Sequence, residues 1–486
     1  MKTSQGGVVR GRRGAVSAAH PLAVAAGQVM LAAGGTAADA AIAAQAMLCV
    51  VMPNNCGLGG DMLALVHTPA GEQWALNGTG AAPAHLHRVT DDGANSITVP
   101  GLVDAWCTLS EREGRLPLSR VLEPAITHAR SGITISPALA HTFVAQRTRL
   151  QRGGASGWSL FDQQAGAVVP QPELARTLES IAVDGSKAFY DGPGAQAIVN
   201  AVQALGGTLS VTDLTTHSSV IARPIESSWN QIKLATQPPM SQGILLNMAL
   251  QALRNLGDFP ATLDDHVAIE LTQAAFAFRS DVGQGTALLN HELAIDLHRA
   301  SHRGGPRAYL HTAGVATADA EGRVISSLVS VFDDFGSCVF VPESGFTLNN
   351  RAGGFTDGAN AAAPGKRPVH TLAPILVTTG QGVLALATPG ADGQVQTLLQ
   401  VLLGVYREDL ELHDAIARPR WRSENDTLLV EKSHPGIEAL AALGHRIRPL
   451  PDGDTRFGAV VCAGCLDRLP MATADWRRET AAAAVA

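Results

Sequence analysis

The hydrophobic and polar positions fall into blocks whose period changes along the chain. Residues 20–52 read as a helical hairpin. His20-Pro21-Leu22 starts one helix, Gly34-Gly35 ends it, and Thr36-Ala37-Ala38-Asp39 has the form of a capping box that opens a second. The second helix is apolar almost all round, which predicts burial on every side. Pro53 to Asp61, with glycines at 57, 59 and 60, then leads into a strand, Met62-Leu63-Ala64-Leu65-Val66. Residues 135–310 look helical and variable. Within them Gln237-Pro238-Pro239-Met240-Ser241-Gln242-Gly243 forms a turn before a long helix from Ile244 to Leu256. From Thr312 the pattern changes again: small and β-branched residues break at Ala320-Glu321-Gly322 and resume from Arg323 to Phe332, which predicts a hairpin of two largely buried strands with Thr312 opening the first. A further strand, Val383-Leu384-Ala385-Leu386-Ala387, ends in Thr388-Pro389-Gly390-Ala391-Asp392-Gly393-Gln394. A strand-to-helix turn of this kind points backbone N–H groups into a site.

Length and composition narrow the class. A chain of 486 residues can hold two or three ordinary domains or one large layered unit. Fifty glycines in an alanine-rich sequence, without a low-complexity run, indicate close helix packing and tight turns. The formal charge of −7 comes without a basic stripe, so no nucleic-acid partner is expected. No apolar run approaches a membrane span, and no membrane partner is expected either. Arg10, Arg12 and Arg13 before Gly14-Ala15-Val16 imitate a targeting signal, but His20-Pro21 interrupts the apolar stretch, and no signal peptide is read. The six cysteines are scattered apart from Cys462-Ala463-Gly464-Cys465. One such pair, without a second pair or histidines at ligand spacing, reads as free thiols in a cytoplasmic chain.

Glycines 57 to 60 do not form a phosphate loop, because the spacing is not GxGxxG and no Walker lysine follows. On local pattern alone Thr312 is an ordinary strand former. Its surroundings say more. Thr312 lies one short strand before Asp319-Ala320-Glu321-Gly322, and the register runs without a gap through Phe335-Gly336-Ser337 and Leu348-Asn349-Asn350. Together with Pro53 to Gly60, Ile97-Thr98-Val99-Pro100-Gly101 and Gly365-Lys366-Arg367-Pro368, this resembles the γ-glutamyltranspeptidase family of N-terminal-nucleophile hydrolases, from roughly residue 14 onward. Members are made as one chain, cut themselves before a threonine, and use that new N-terminal threonine as nucleophile. The resemblance therefore implies cleavage between His311 and Thr312. A threonine hydroxyl is a weak nucleophile, but an N-terminal threonine carries its own base, since a free α-amino group titrates at about pH 8.

The departures from the family's pattern are informative. Ala313 and Gly314 stand where the cut site usually has a second threonine and a histidine. Ser330 takes the place of a threonine that hydrogen-bonds the nucleophile, and keeps the hydroxyl. Gly390 is kept at the oxyanion turn, and Ala391 replaces a second glycine; its N–H still serves unless the turn demands positive φ. Around the substrate, Thr79 replaces an arginine that holds the α-carboxylate and Phe332 an asparagine. Gly354 replaces the aspartate that binds the α-amino group, Arg351 a Gln or Glu, and His370-Thr371 two serines. With an arginine lost at 79, an acid lost at 354 and an arginine gained at 351, the expected substrate is a carboxylate-bearing acyl group read by Arg351 with help from His370 and Thr371.

The fold implied by the resemblance is α/β (α+β), the four-layer αββα sandwich, with a large segment 1–311 and a small segment 312–486 intertwined in one globular domain. The implied activity is that of a self-cleaving γ-glutamyltransferase-like enzyme, without cofactor or metal, that cleaves an acyl bond of a small molecule through an acyl-enzyme. Its partners would be its own two segments, a heterodimer that can itself pair. Three alternatives stand beside this: a biosynthetic member of an antibiotic pathway with C–C or acyl cleavage, a true γ-glutamyl hydrolase or transferase, and a non-catalytic scaffold. Loss of the second threonine and of the histidine is what favours the scaffold.

Overall fold

The computed structural model describes residues 7–303 and 312–486. The helical hairpin forms as Pro21–Ala32 and Ala37–Val51. Asp39 N–H donates to Thr36 Oγ1 at 3.3 Å and Thr36 N–H to Asp39 Oδ2 at 2.8 Å, the reciprocal capping that the spacing predicts. The second helix is buried along nearly its whole length. Its one long polar side chain inside, Gln45, is satisfied by Ser327 and Trp106, each at 2.7 Å.

Two seven-stranded sheets carry the rest. The first runs Ala481–Val485, Gly14–Ala18, Ala313–Asp319, Val324–Ser330, Asp61–His67, Gln73–Gly78, Val220–Ala222. The second runs Val9–Arg10, Leu469–Ala474, Val461–Leu466, Gly382–Ala387, Ile375–Thr379, Ile232–Thr236, Ile225–Trp229. Pairing within both is antiparallel. Each sheet mixes strands from both sides of residues 311 and 312, and the stretch that imitates a targeting signal, Gly14–Ala18, is an inner strand.

The sheets face each other through small and branched residues, among them Ala15, Ala316, Ala318 and Leu328 on one and Ala385, Ala387, Val461 and Ala463 on the other. Ser326 Oγ crosses the interface to donate to the Leu386 carbonyl at 2.7 Å. The outer face of the first sheet is covered by the helical hairpin with Leu102–Glu113 and Leu118–Ser131, and that of the second by Gly243–Leu256, Asp264–Phe276 and Gly393–Tyr406. The architecture is thus the four-layer αββα sandwich.

The region 135–310 is not helical throughout. Val220–Ala222 is an edge strand of the first sheet, and Ile225–Trp229 is an edge strand of the second with Ile232–Thr236 beside it. Ile225-Glu226-Ser227-Ser228-Trp229 does alternate buried and solvent-facing positions, but five residues are too few to stand out from their helical neighbours. The Asp319 turn closes the predicted hairpin: Gly322 takes φ +90°, and Arg323 holds Asp319 and Glu113, each at 2.7 Å. Among the described residues no helix is long and apolar enough to cross a membrane. All six cysteines are free thiols. Cys462 and Cys465 lie three apart on one strand, where side chains alternate faces, so one is buried and the other partly exposed.

Candidate active site

Thr312 immediately precedes the strand Ala313–Asp319, whose Ala313 pairs with Val329. That register sets Thr312 beside Ser330, the last residue of the next strand. Thr312 Oγ1 donates to Ser330 Oγ at 3.4 Å, and Ser330 Oγ also accepts the Phe332 N–H at 2.9 Å. Both side chains are buried, Thr312 with 3% exposure. His311 lies outside the described residues.

Gly314 shows why the residues after Thr312 are small. A β-carbon there would come within 2.8 Å of Val461 Cγ2 on the facing sheet. The histidine of the family motif is therefore replaced to suit sheet packing in this chain, a reason that says nothing against catalysis.

The turn after Gly382–Ala387 approaches the same end of the sheets, since the β-carbon position of Gly314 is 3.5 Å from that of Ala387. Gly390 takes φ +122° and Ala391 φ +47°. The turn does demand positive φ at the alanine, a conformation that costs an L residue on the order of 1–2 kcal/mol. It is held by its surroundings. The Ala391 carbonyl accepts from Gln242 Nε2 at 2.9 Å and from the Gln394 N–H at 3.0 Å, and Arg279 Nε grips Asp392 at 2.9 Å. Among the described residues neither the Gly390 nor the Ala391 N–H donates to a backbone carbonyl. Gln242, from the turn that precedes the Gly243–Leu256 helix, thus ties that turn to Ala391.

Next to Ser330 lies a buried polar cluster. Ser330 pairs in register with Asp61, which opens the strand Asp61–His67. Asp61 Oδ2 accepts from Arg351 Nε at 2.9 Å and lies 3.3 Å from His370 Nε2. The Leu372 N–H donates to His370 Nδ1 at 3.1 Å, so that nitrogen bears a lone pair and the ring's proton sits on Nε2, facing Asp61. Burial, and secondarily the charge of Arg351, push the His370 pKa down to about 4. Burial alone would raise Asp61, but the His370 hydrogen bond and the Arg351 charge leave it below the usual carboxylate value.

Arg351 is fully buried on a short turn, Arg351–Gly354, which Asn349 Oδ1 anchors by accepting the Arg351 and Thr98 N–H groups. Its guanidinium carbon stands 4.4 Å from the centre of the Phe332 ring. Phe332 takes φ +86°, which aims the ring. Among the described residues Nη1 and Nη2 of Arg351 have no hydrogen-bond partner, and neither does Asp61 Oδ1.

The sequence-derived pocket is therefore assembled in part. Thr312, Ser330, Phe332, Arg351 and His370 come together, with the His370 ring neutral and facing Asp61. Thr371 lends its carbonyl to Gln242 Nε2 at 2.7 Å. Gly354 lends its own to Asn360 at 2.8 Å, and a β-carbon there would meet the Val369 carbonyl at 3.0 Å. Thr79 spends its hydroxyl on Asn77 Oδ1 at 2.7 Å, and its carbonyl is taken by Arg367 Nε at 2.8 Å, so it is a turn residue. Asp61 was missed by the sequence reading. Its signal was available: a carboxylate at the head of an otherwise apolar strand has to find a cation once buried.

Comparison with known proteins agrees with this geometry. A sequence model described as Gamma-glutamyltranspeptidase matches residues 23–485. The oxamate amidohydrolase proenzyme of Klebsiella pneumoniae is 30% identical, over 94% of this chain and 95% of that protein. The acylase ACY 1 proenzyme of Pseudomonas sp. is also 30% identical, over 90% and 88%. The crystal structure of cephalosporin acylase from Bacillus halodurans superposes with a TM-score of 0.89 at 28% identity, covering 100% of this chain and 98% of that one. The threonine at the strand start, the facing sheets and the match along nearly the whole sequence lead to one conclusion: the chain belongs to the γ-glutamyltranspeptidase family of N-terminal-nucleophile hydrolases.

Proposed function

We propose that this protein cuts itself between His311 and Thr312 and then uses Thr312 to hydrolyse an amide-type bond in a small substrate whose acyl group carries a carboxylate. The observation that carries the reading is the Thr312 hydroxyl set on Ser330 Oγ at a strand start. In the uncut chain Thr312 Oγ attacks the carbonyl of His311, and water opens the resulting ester. The freed α-amine then takes the Thr312 hydroxyl proton as Oγ attacks the substrate carbonyl, and returns it to the leaving amine. The Gly390 and Ala391 N–H groups hold the oxyanion, and water attacks the acyl-enzyme to release the acid.

Arg351 is the substrate anchor in this reading. Its two unpartnered terminal nitrogens offer a carboxylate paired charge-assisted hydrogen bonds. Two named relatives are an oxamate amidohydrolase and an acylase, and oxamate is itself an amide with a carboxylate. We place the mature enzyme in the cytoplasm, as two associated segments.

Intact-mass analysis after expression tests the first step. The wild type gives a 311-residue fragment and one of 486 − 311 = 175 residues, while Thr312→Ala gives one chain. A single full-length wild-type species would mean a non-catalytic scaffold, and two fragments from Thr312→Ala would mean that another protease makes the cut.

A further inference from the structure

Away from the active site, His266 and Glu270 lie one helical turn apart on Asp264–Phe276, facing His445 in the turn before the strand Ile447–Leu450. All three are buried, and one ligand atom from each falls within 4.8 Å of the others. His266 Nε2 sits 2.7 Å from the Asp296 carbonyl, which can only accept, so the proton is on Nε2 and the Nδ1 lone pair points inward. Nδ1 lies 2.8 Å from His445 Nε2. Glu270 Oε1 accepts the Ser301 N–H at 3.0 Å, but Oε2 is buried with no hydrogen-bond partner among the described residues. No lysine or arginine among the described residues pairs with Glu270, although an uncompensated buried carboxylate is costly.

A hydrogen-bonded pair of histidines accounts for the two rings and leaves the carboxylate unexplained. A divalent cation accounts for all three. We propose that His266 Nδ1, Glu270 Oε2 and His445 Nε2 bind a borderline transition-metal ion of the zinc class, with water in the fourth position. Two imidazoles and a carboxylate suit such an ion, and a ligating histidine whose other nitrogen donates to a backbone carbonyl is the arrangement that fixes the tautomer. Metal–nitrogen bonds of about 2.0–2.1 Å at tetrahedral angles separate the two nitrogens by about 3.3 Å. His445 therefore retreats by about half an ångström when the ion enters. Its proton moves from Nε2 to Nδ1, so two neutral rings and one carboxylate bind the ion.

The placement suggests what the ion does. His266, Glu270 and the Asp296 and Ser301 backbone groups belong to the segment before Thr312, and His445 to the segment after it. The ion would pin the two products of self-cleavage together. Binding itself does not depend on cleavage, because the three ligands already converge in the intact chain.

The test is titration of chelator-stripped full-length protein with Zn2+ and with Co2+, followed by calorimetry, metal analysis and the visible absorption of bound Co2+. One equivalent should bind, with a Co2+ spectrum of low coordination number and a raised melting temperature. Glu270→Gln, which keeps the acceptor for Ser301, and His445→Gln should each weaken binding by more than the roughly 10–100-fold that loss of an outer-shell partner costs. His434→Gln, altered at a nearby histidine outside the cluster, should bind like wild type. Thr312→Ala should also bind one equivalent, which separates this result from the fate of the proposed self-cleavage. No stoichiometric binding to the stripped wild type, or unchanged affinity in both ligand variants, overturns the proposal.

Discussion

Arg351 Nε donates to Asp61 Oδ2 across 2.9 Å between two side chains without solvent exposure. The partners are 290 residues apart in sequence. Removing the acid would leave the guanidinium without a hydrogen-bond acceptor among the described residues on any of its three nitrogens. Breaking a buried pair in this way costs about 3–5 kcal/mol, because the remaining charge stays buried. Asp61→Ala should lower stability by that amount in chemical denaturation, and the double change Asp61→Leu with Arg351→Met should recover most of it. A loss under about 1 kcal/mol for Asp61→Ala would mean that water reaches and solvates the guanidinium.

Arg351→Lys tests recognition while keeping the charge. Lysine can still pair with Asp61 but lacks the planar fork. Amides with carboxylate-bearing acyl groups, such as oxalyl and glutaryl anilides, should lose on the order of tenfold or more in kcat/KM, about 1.4 kcal/mol, while plain fatty-acyl amides lose little. γ-Glutamyl anilide should be a poor substrate for the wild type, since nothing at Thr79 or Gly354 reads its α-amino and α-carboxylate groups. Efficient turnover of γ-glutamyl anilide, or equal effects across the panel, would remove Arg351 from substrate selection.

Ala391 sits at φ +47°, so proline, fixed near −65°, would deform the turn as well as delete the N–H. Glycine and valine are the informative substitutions. Ala391→Gly should retain turnover and fold at least as stably, because the left-handed strain of about 1–2 kcal/mol offsets the entropy glycine adds to the unfolded chain. Ala391→Val, β-branched in a left-handed position, should displace the N–H and cost roughly a hundredfold in kcat, in line with loss of one oxyanion donor. Unchanged turnover by Ala391→Val at normal melting temperature would take this N–H out of the mechanism.

Ser330→Ala removes the hydroxyl that Thr312 Oγ1 contacts, whereas Ser330→Thr restores the residue the family usually carries. One ordinary hydrogen bond is worth about 1 kcal/mol, so Ser330→Ala should slow self-cleavage roughly fivefold. Ser330→Thr should cleave at close to the wild-type rate. Time courses of fragment appearance on gels give both rates, and equal rates for all three proteins would show that the contact is structural.

His370 gives stability a pH dependence whose sign follows from its depressed pKa. The folded ring resists protonation down to about 4, while an unfolded histidine titrates at about 6.5. Between those values the unfolded chain holds more protons, so stability falls as pH falls and is level above that window. The full span is on the order of 3 kcal/mol for a wholly buried ring. Asp61, also depressed, adds its loss only at lower pH, below the ordinary carboxylate value. His217 and His445, also held down to about 4, act in the same window, so His370→Gln should remove one share of the wild-type decline in melting temperature between pH 6.5 and about 4.5. A wild-type minus variant difference that does not change over that range would show that the ring is not held neutral by the fold.

Patterns local in sequence were legible without the structure, because short-range stereochemistry and solvent exposure determine them. The Thr36–Asp39 capping box, the buried helix behind it, the hairpin closed at Gly322 and the position of Thr312 at a strand start all follow from periodicity and turn chemistry within some twenty residues. The tertiary structure decided what depends on distant segments meeting. Asp61 reaches Arg351 and His370 only when segments 290 and 309 residues away in sequence are brought to it, and that meeting gives His370 a carboxylate partner and a neutral ring. Gly314 is read as a lost histidine until Val461 of the opposite sheet appears 2.8 Å from its missing β-carbon. The strands between Val220 and Thr236 extend because each finds a neighbouring strand to pair with, a choice that pairing partners make and five-residue patterns do not.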